Sequence, residues 1–182
     1  GIVAEVNELS REISAGRVKL EEAEERLEKI EKIPPKKRWF QYMAAGLASG
    51  TFALMLGSSV LEAVAAFLIG FLSYVWVLFA GKHNLSKIIV NIVGGVIMTV
   101  LALAFMHIPF LPILKLDGMM VGAIMPMIPG VAFVNAIRDI ADTDFLSGLV
   151  RMIDALLVFV YIAIGVGVTL SIYNTMMGGI LR

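Results

Sequence analysis

From Ala155 to Leu181 the chain runs for 27 residues without one Asp, Glu, Lys or Arg. About 20 apolar residues suffice for a helix to cross the hydrocarbon core of a bilayer. With no water in that core, every backbone N–H and C=O must be paired within the span, which selects the α-helix for a run of this kind. Four further apolar runs precede it, so five spans are expected at about 39–56, 60–80, 88–106, 119–134 and 146–170, with the last continuing past Leu170. The fourth is short and interrupted by Pro126 and by Pro129-Gly130. The expected fold class is all-α, a polytopic helical membrane protein, with residues 37–182 as its transmembrane domain.

The charge is gathered at the other end. Residues 1–38 hold nine Lys/Arg and nine Asp/Glu, eighteen of the thirty charged residues. Val3, Val6, Leu9 and Ile13 form one apolar stripe at helical spacing, and Leu20, Ala23, Leu27 and Ile30 form a second. These are two amphipathic helices, separated by "SAGR" and confined to residues 1–36, which are expected on the cytoplasmic side. Glu22–Arg26, Glu25–Lys29 and Glu28–Lys32 stand at i,i+4 in the favourable order, each contributing about 0.2–0.5 kcal/mol. Pro34 and Pro35 then stop the helix.

Composition removes several function classes. The chain is 59% hydrophobic with zero formal net charge, so nothing points to nucleic acid. Without cysteine it has no disulfide, thiolate metal site or Cys nucleophile, and His83 and His107 are too far apart to suggest zinc. No cofactor or metal is expected. The chain lacks an initiator Met and opens in mid-helix style, as a fragment or processed chain would. Gly46 and Gly50, Gly94-Gly95, Gly165 and Gly167 fall inside the spans, where small residues let helices pack closely.

Three Asp fall within six residues directly behind the broken fourth span, in "MIPGVAFVNAIRDIADTDFLSG", Met127 to Gly148. Asn135, Arg138, Asp139 and Asp142 share one helical face at i, i+3, i+4 and i+7. Thr143 or Asp144 can cap the next helix, on which Ser147, Arg151 and Asp154 make a second polar face. The two faces can meet as a helix hairpin. One reading is structural, with Arg138 and Arg151 stapling the carboxylates together. The other is functional, with the hairpin shaping the cytoplasmic mouth of a polar pathway and Pro129-Gly130 freeing backbone groups at membrane depth, the usual construction of transporter sites. Asn91, polar and inside a span, joins the candidates.

The same residues resemble a known family. Pro129-Gly130, then Asn135 and Arg138-Asp139, then Ser147-Gly148, Arg151 and Asp154-Ala155 look like the signature of the threonine/serine exporter (ThrE) family of bacterial inner-membrane proteins. Family members often carry Glu where this chain has Asp154. "LSREISAGRVKLEEAEERLEKIEK" and "AAGLASGTFALMLGSS" resemble the segment before the family's first span and that span itself. The resemblance implies export of L-threonine and L-serine or, in some relatives, dicarboxylates such as succinate, driven by the proton gradient. It also implies a partner: a second membrane half, fused or as a separate small subunit, so that this chain is one half of an oligomer.

Two other classes share features of this pattern. CDP-alcohol phosphotransferases hold a divalent metal with Asp on helix ends, but their motif needs two further Asp down the next helix, and after Arg151 only Asp154 follows. A non-transporting membrane scaffold or channel-like assembly would carry the same spans.

Lys36, Lys37 and Arg38, then Lys82 and Lys87, then Arg138 and Arg151 fall on alternate flanks, against Lys115 and Arg182 opposite. The positive-inside rule therefore puts the N-terminus in the cytoplasm and the C-terminus outside. A reporter fused after Arg182 should read as external and one in the loop 81–87 as cytoplasmic. Both on one side would remove a span.

Overall fold

The computed structural model describes residues 2–31, 38–108 and 114–177. The chain divides into two compact units, 1–37 and 38–182.

The first unit is a helix pair, α1 (Ile2–Ser14) and α2 (Leu20–Glu31). Gly16, at φ +64°, makes the turn in the left-handed region that glycine enters freely. Leu9, Ala23 and Ile30 bury together with Val18 packed on them, while Val6, Ile13 and Leu27 stay exposed. The expected stripes thus cover one another only in part. Arg26 ties the helices by its ion pair with Glu12 and also approaches Glu22, and Lys29 pairs with Glu25 at 2.7 Å. That ammonium, bonding to the Glu25 carboxyl, holds it below the usual carboxylate range. The side chains of Val3 and Leu20, and Lys32, Pro34 and Pro35, lie outside the described residues.

The second unit begins with α3 (Arg38–Met55) and α4 (Val60–Lys82), joined by a turn through Gly57 at φ +86°. Then come α5 (Lys87–Met106), α6 (Leu116–Ile124), a 3-10 turn (Met125–Met127), α7 (Gly130–Ala141) and α8 (Phe145–Met176). The all-α membrane architecture is as expected, and by length and apolar content alone fewer helices qualify as spans than the five expected. Three helices are long and apolar enough to cross a bilayer, α4, α5 and α8; a fourth span exists if the bent pair α6 and α7 is one broken span. The 18-residue α3 is not among them, because Arg38, Gln41, Ser49 and Thr51 dilute its apolar content. It nevertheless lies antiparallel along α4, with Gly46 against Phe67 and Gly50 against Ala63.

The fourth element also differs from a span ending at Val134. The helix stops at Met127, bends by 60°, and restarts at Gly130 for twelve residues. Asn135, Arg138 and Asp139 therefore lie within its second limb rather than beyond its end. Pro129 cannot supply an N–H to continue the ladder. With φ −78° and ψ 54° it forms an inverse γ-turn in which Gly130 N–H donates to Ile128 O at 2.8 Å.

α5 and α8 run parallel and touch backbone to backbone. A Cβ on Gly95 would stand 2.7 Å from Ile162 O, and one on Gly165 would collide with Ile92 O. Gly167, two residues on, has nothing within 4 Å. Gly165→Ala should therefore overpack the crossing and lower stability by about 1–3 kcal/mol. Gly167→Ala should leave stability unchanged or raise it by up to about 1 kcal/mol through helix propensity. Thermal melts in detergent separate the two.

Candidate functional site

The acidic cluster sits at an antiparallel hairpin of α7 and α8. The corner is tight because Thr143 takes φ +71° and Asp144 caps α8, its Oδ1 accepting from Ser147 N–H at 3.3 Å. Gly148 makes the close approach possible: a Cβ there would meet Ala136 O at 2.9 Å and the Ile140 side chain at 2.5 Å. The glycine of the Ser-Gly motif is thus a packing residue, and Ser147 is half-buried beside the cap.

The four polar residues of α7 split between two directions. Asp139 turns toward α8, where Arg151 Nη1 lies 2.9 Å from its Oδ2. This is an ion-pair distance off the hydrogen-bonding direction, so the buried Oδ2 accepts no hydrogen bond among the described residues. Arg138 and Asp142 face outward as a loose pair at 3.6 Å, with side chains 78% and 70% exposed. Asn135 is exposed on the same limb.

Asp154 leaves the hairpin altogether and pairs with Lys87 Nζ of α5 at 2.6 Å. Asn91, one turn into α5, is buried and donates its amide to Lys87 O at 2.7 Å, so it is satisfied within its own helix. The hairpin is therefore joined to α5 by a lysine that the sequence offered only as a topology marker. Pro129-Gly130 stands apart, more than two turns up α7 from Arg138, about 12 Å along the helix. There α7 begins with no side-chain cap, and Gly130 has nothing within 4 Å of where a Cβ would stand. Its first amides form the positive end of a helix dipole, with the Gly130 N–H taken by Ile128 O and no side-chain cap among the described residues.

Other polar groups were missed. Glu62, 5% exposed, completes a capping box with Ser59 and also accepts from Lys115 N–H at 2.8 Å, linking the starts of α4 and α6. A cavity of about 630 Å³ lies beside it. The Ser-x-x-Glu spacing ahead of an apolar run was a usable signal for the cap; the second acceptor role had none. Ser49 and Ser73 are buried with hydroxyls that find no partner among the described residues, whereas Thr99 and Thr169 donate to the carbonyls of Gly95 and Gly165 at 2.8 Å. Among the described residues no group of three His, Asp or Glu is placed to hold a metal.

Over residues 1–173 the chain matches the ThrE family model, described as a putative threonine/serine exporter. The match spans both units and the whole hairpin, and bears out the resemblance read from the motif. No curated protein and no solved structure matches the chain.

The two arginines have different work. Asp139, 25% exposed, holds α7 on α8 through Arg151, a position between surface pairs worth about 0–1 kcal/mol and buried ones whose breakage costs about 3–5 kcal/mol. Asp139→Asn should therefore lower the melting temperature, and the exchange Asp139→Arg with Arg151→Asp should recover part of the loss. An unchanged melt for Asp139→Asn would show that the pair does not hold the hairpin.

Proposed function

This chain belongs to the threonine/serine exporter family and is a multi-pass membrane protein, and on that footing we propose that it exports small polar carboxylates, L-threonine and L-serine first. It works as one half of a secondary transporter driven by the proton gradient, in a bacterial inner membrane, with its N-terminus cytoplasmic and its C-terminus outside. A second membrane half or small subunit completes it. A dicarboxylate such as succinate is the alternative cargo of the same site.

The observation that carries this reading is the broken element α6–α7. Its second limb starts uncapped at Gly130 and leads to the exposed guanidinium of Arg138. Discontinuous helices with a positive N-terminal end and a nearby ionisable group are a recurrent way to hold a substrate carboxylate in a membrane. The Arg138–Asp142 pair is loose and solvated, the kind worth about 0–1 kcal/mol. A carboxylate entering from the hairpin side displaces Asp142 at little cost. Arg151, Asp139, Lys87 and Asp154 hold the frame around it, with Asn91 and Ser147 as local supports.

A guanidinium offers a rigid two-pronged donor that an ammonium cannot copy. Arg138→Lys should therefore melt like the parent and lose most export, measured by counterflow of labelled L-threonine and of succinate in vesicles holding the complete exporter. Parent-like counterflow of both would remove Arg138 from the pathway. Exchange of succinate alone would move the assignment to the dicarboxylate.

A further inference from the structure

The two limbs of the broken element are held by different partners. α6 packs most closely on α3 and α4 and less on α5, and the 3-10 turn that follows it also lies against α3. α7 packs on α8, and α8 packs on α5, which also touches α4. At its start α6 is tied to α4 by Lys115 N–H on Glu62, and at its end α7 is tied to α8 by Arg151 on Asp139.

The close contacts sort the same way. Within α3–α4–α6, a Cβ on Gly46 would meet Phe67 O at 2.9 Å, and one on Gly122 would meet Ser49 O at 2.5 Å. Within α5–α7–α8, Gly95 lies against Ile162 O and Gly148 against Ala136 O. Between the two sets, the one such glycine among the described residues is Gly94, and it meets the terminal methyl of Met127 rather than backbone. The core that joins the sets has Met98 on one side and Met119 and Met120 on the other. Thioether side chains refill irregular gaps as their surroundings move, whereas backbone contacts at glycine allow no such slip.

We propose that the membrane unit is two rigid bodies, α3–α4–α6 and α5–α7–α8, that rock against each other across a methionine-lined seam about a hinge at Ile128–Gly130. This rests on the export reading, for which the rocking supplies access to alternate sides. The hinge lacks a continuous ladder at Pro129, has open space around Gly130 and no cap on α7. The pivot lies at the same depth, where Trp76 Nε1 of one body donates to Val90 O of the other at 3.0 Å and Met127 rests on Gly94. The chain crosses between the bodies twice more, after α4, where it passes through Asn84 at φ +52°, and between α5 and α6.

These 182 residues carry no cysteine, so any thiol within them is an introduced one. Leu116→Cys with Met106→Cys places one thiol on each body at the end far from the pivot, both sites packing on the shared core. His107→Cys with Tyr173→Cys places both on α5–α7–α8, where the two rings stand 5.8 Å apart. Short bifunctional thiol reagents bridging the first pair should abolish L-threonine export by the complete exporter, and bridging the second should leave it intact. Spin labels on the exposed positions 64 and 168, one per body, should give two separations by pulsed dipolar spectroscopy. Labels at 47 and 64, within one body, should give one. Undiminished export with the first pair bridged, or a single fixed separation between 64 and 168, overturns the hinge. If the unbridged exporter moves neither threonine nor serine, the export reading fails, and the spin-label separations alone decide the hinge.

Discussion

Contact between backbones at glycine is the interaction on which the membrane unit stands. Lipid tails are as apolar as leucine, so no hydrophobic force drives helices together inside a bilayer, and association depends on van der Waals contact and interhelical polar bonds. The α5–α8 crossing at Gly95 and Gly165, the α3–α4 contacts at Gly46 and Gly50, and the α7–α8 contact at Gly148 supply that contact over wide areas. Large side chains are correspondingly turned outward: Leu47, Val64, Leu68, Val160 and Val168 are exposed on the faces that lipid or a second chain would cover. The apolar character that inserts this chain into a membrane and the small residues that fold it there are carried by different positions on the same helices.

Charge is used sparingly and in two distinct ways. Where it fastens helices it bridges two different elements, as Lys87 of α5 does to Asp154 of α8, and Arg151 of α8 to the more shielded Asp139 of α7. Where it is left solvated, as at Arg138 with Asp142, the partner is a neighbour on the same helix and holds it weakly. A signature containing both kinds reads as one motif in sequence, although its residues divide between frame and site. Glu62 follows the first pattern at the opposite end, with one carboxylate shared between the starts of two helices.

Much of the fold was legible because its signals are local. Charge-free runs marked α4, α5 and α8, Pro129-Gly130 marked the break, and the spacing of Leu9, Ala23 and Ile30 marked the packed sides of α1 and α2. The family signature was likewise a matter of neighbours in the chain. What stayed hidden is long-range choice. Three carboxylates lie within reach of Arg151 by spacing alone, and only packing at Gly148 turns Asp139 toward it. The Lys87–Asp154 pair spans 67 residues, a separation on which periodicity is silent. α3 falls short of the apolar content of the other long helices for another reason: Arg38 and Gln41 stand near its start, and small residues such as Ser49 serve contact with α4 and α6.

The parallel pairing of α5 and α8 also works as a depth gauge. Lys87 meets Asp154 near one end and His107 meets Tyr173 near the other, 3.1 Å between Nε2 and Oη. Twenty residues separate Lys87 from His107, a rise of about 30 Å, which is the thickness of the hydrocarbon slab. Met127 rests on Gly94, seven residues above Lys87, so the break lies only about 10 Å below that surface. The slab is divided unequally. About 10 Å separates the hairpin side from the break, and the part beyond the break, where α6 and its methionines lie, is about twice as thick. On the export reading proposed above, cargo that reaches Gly130 still has most of the membrane ahead of it.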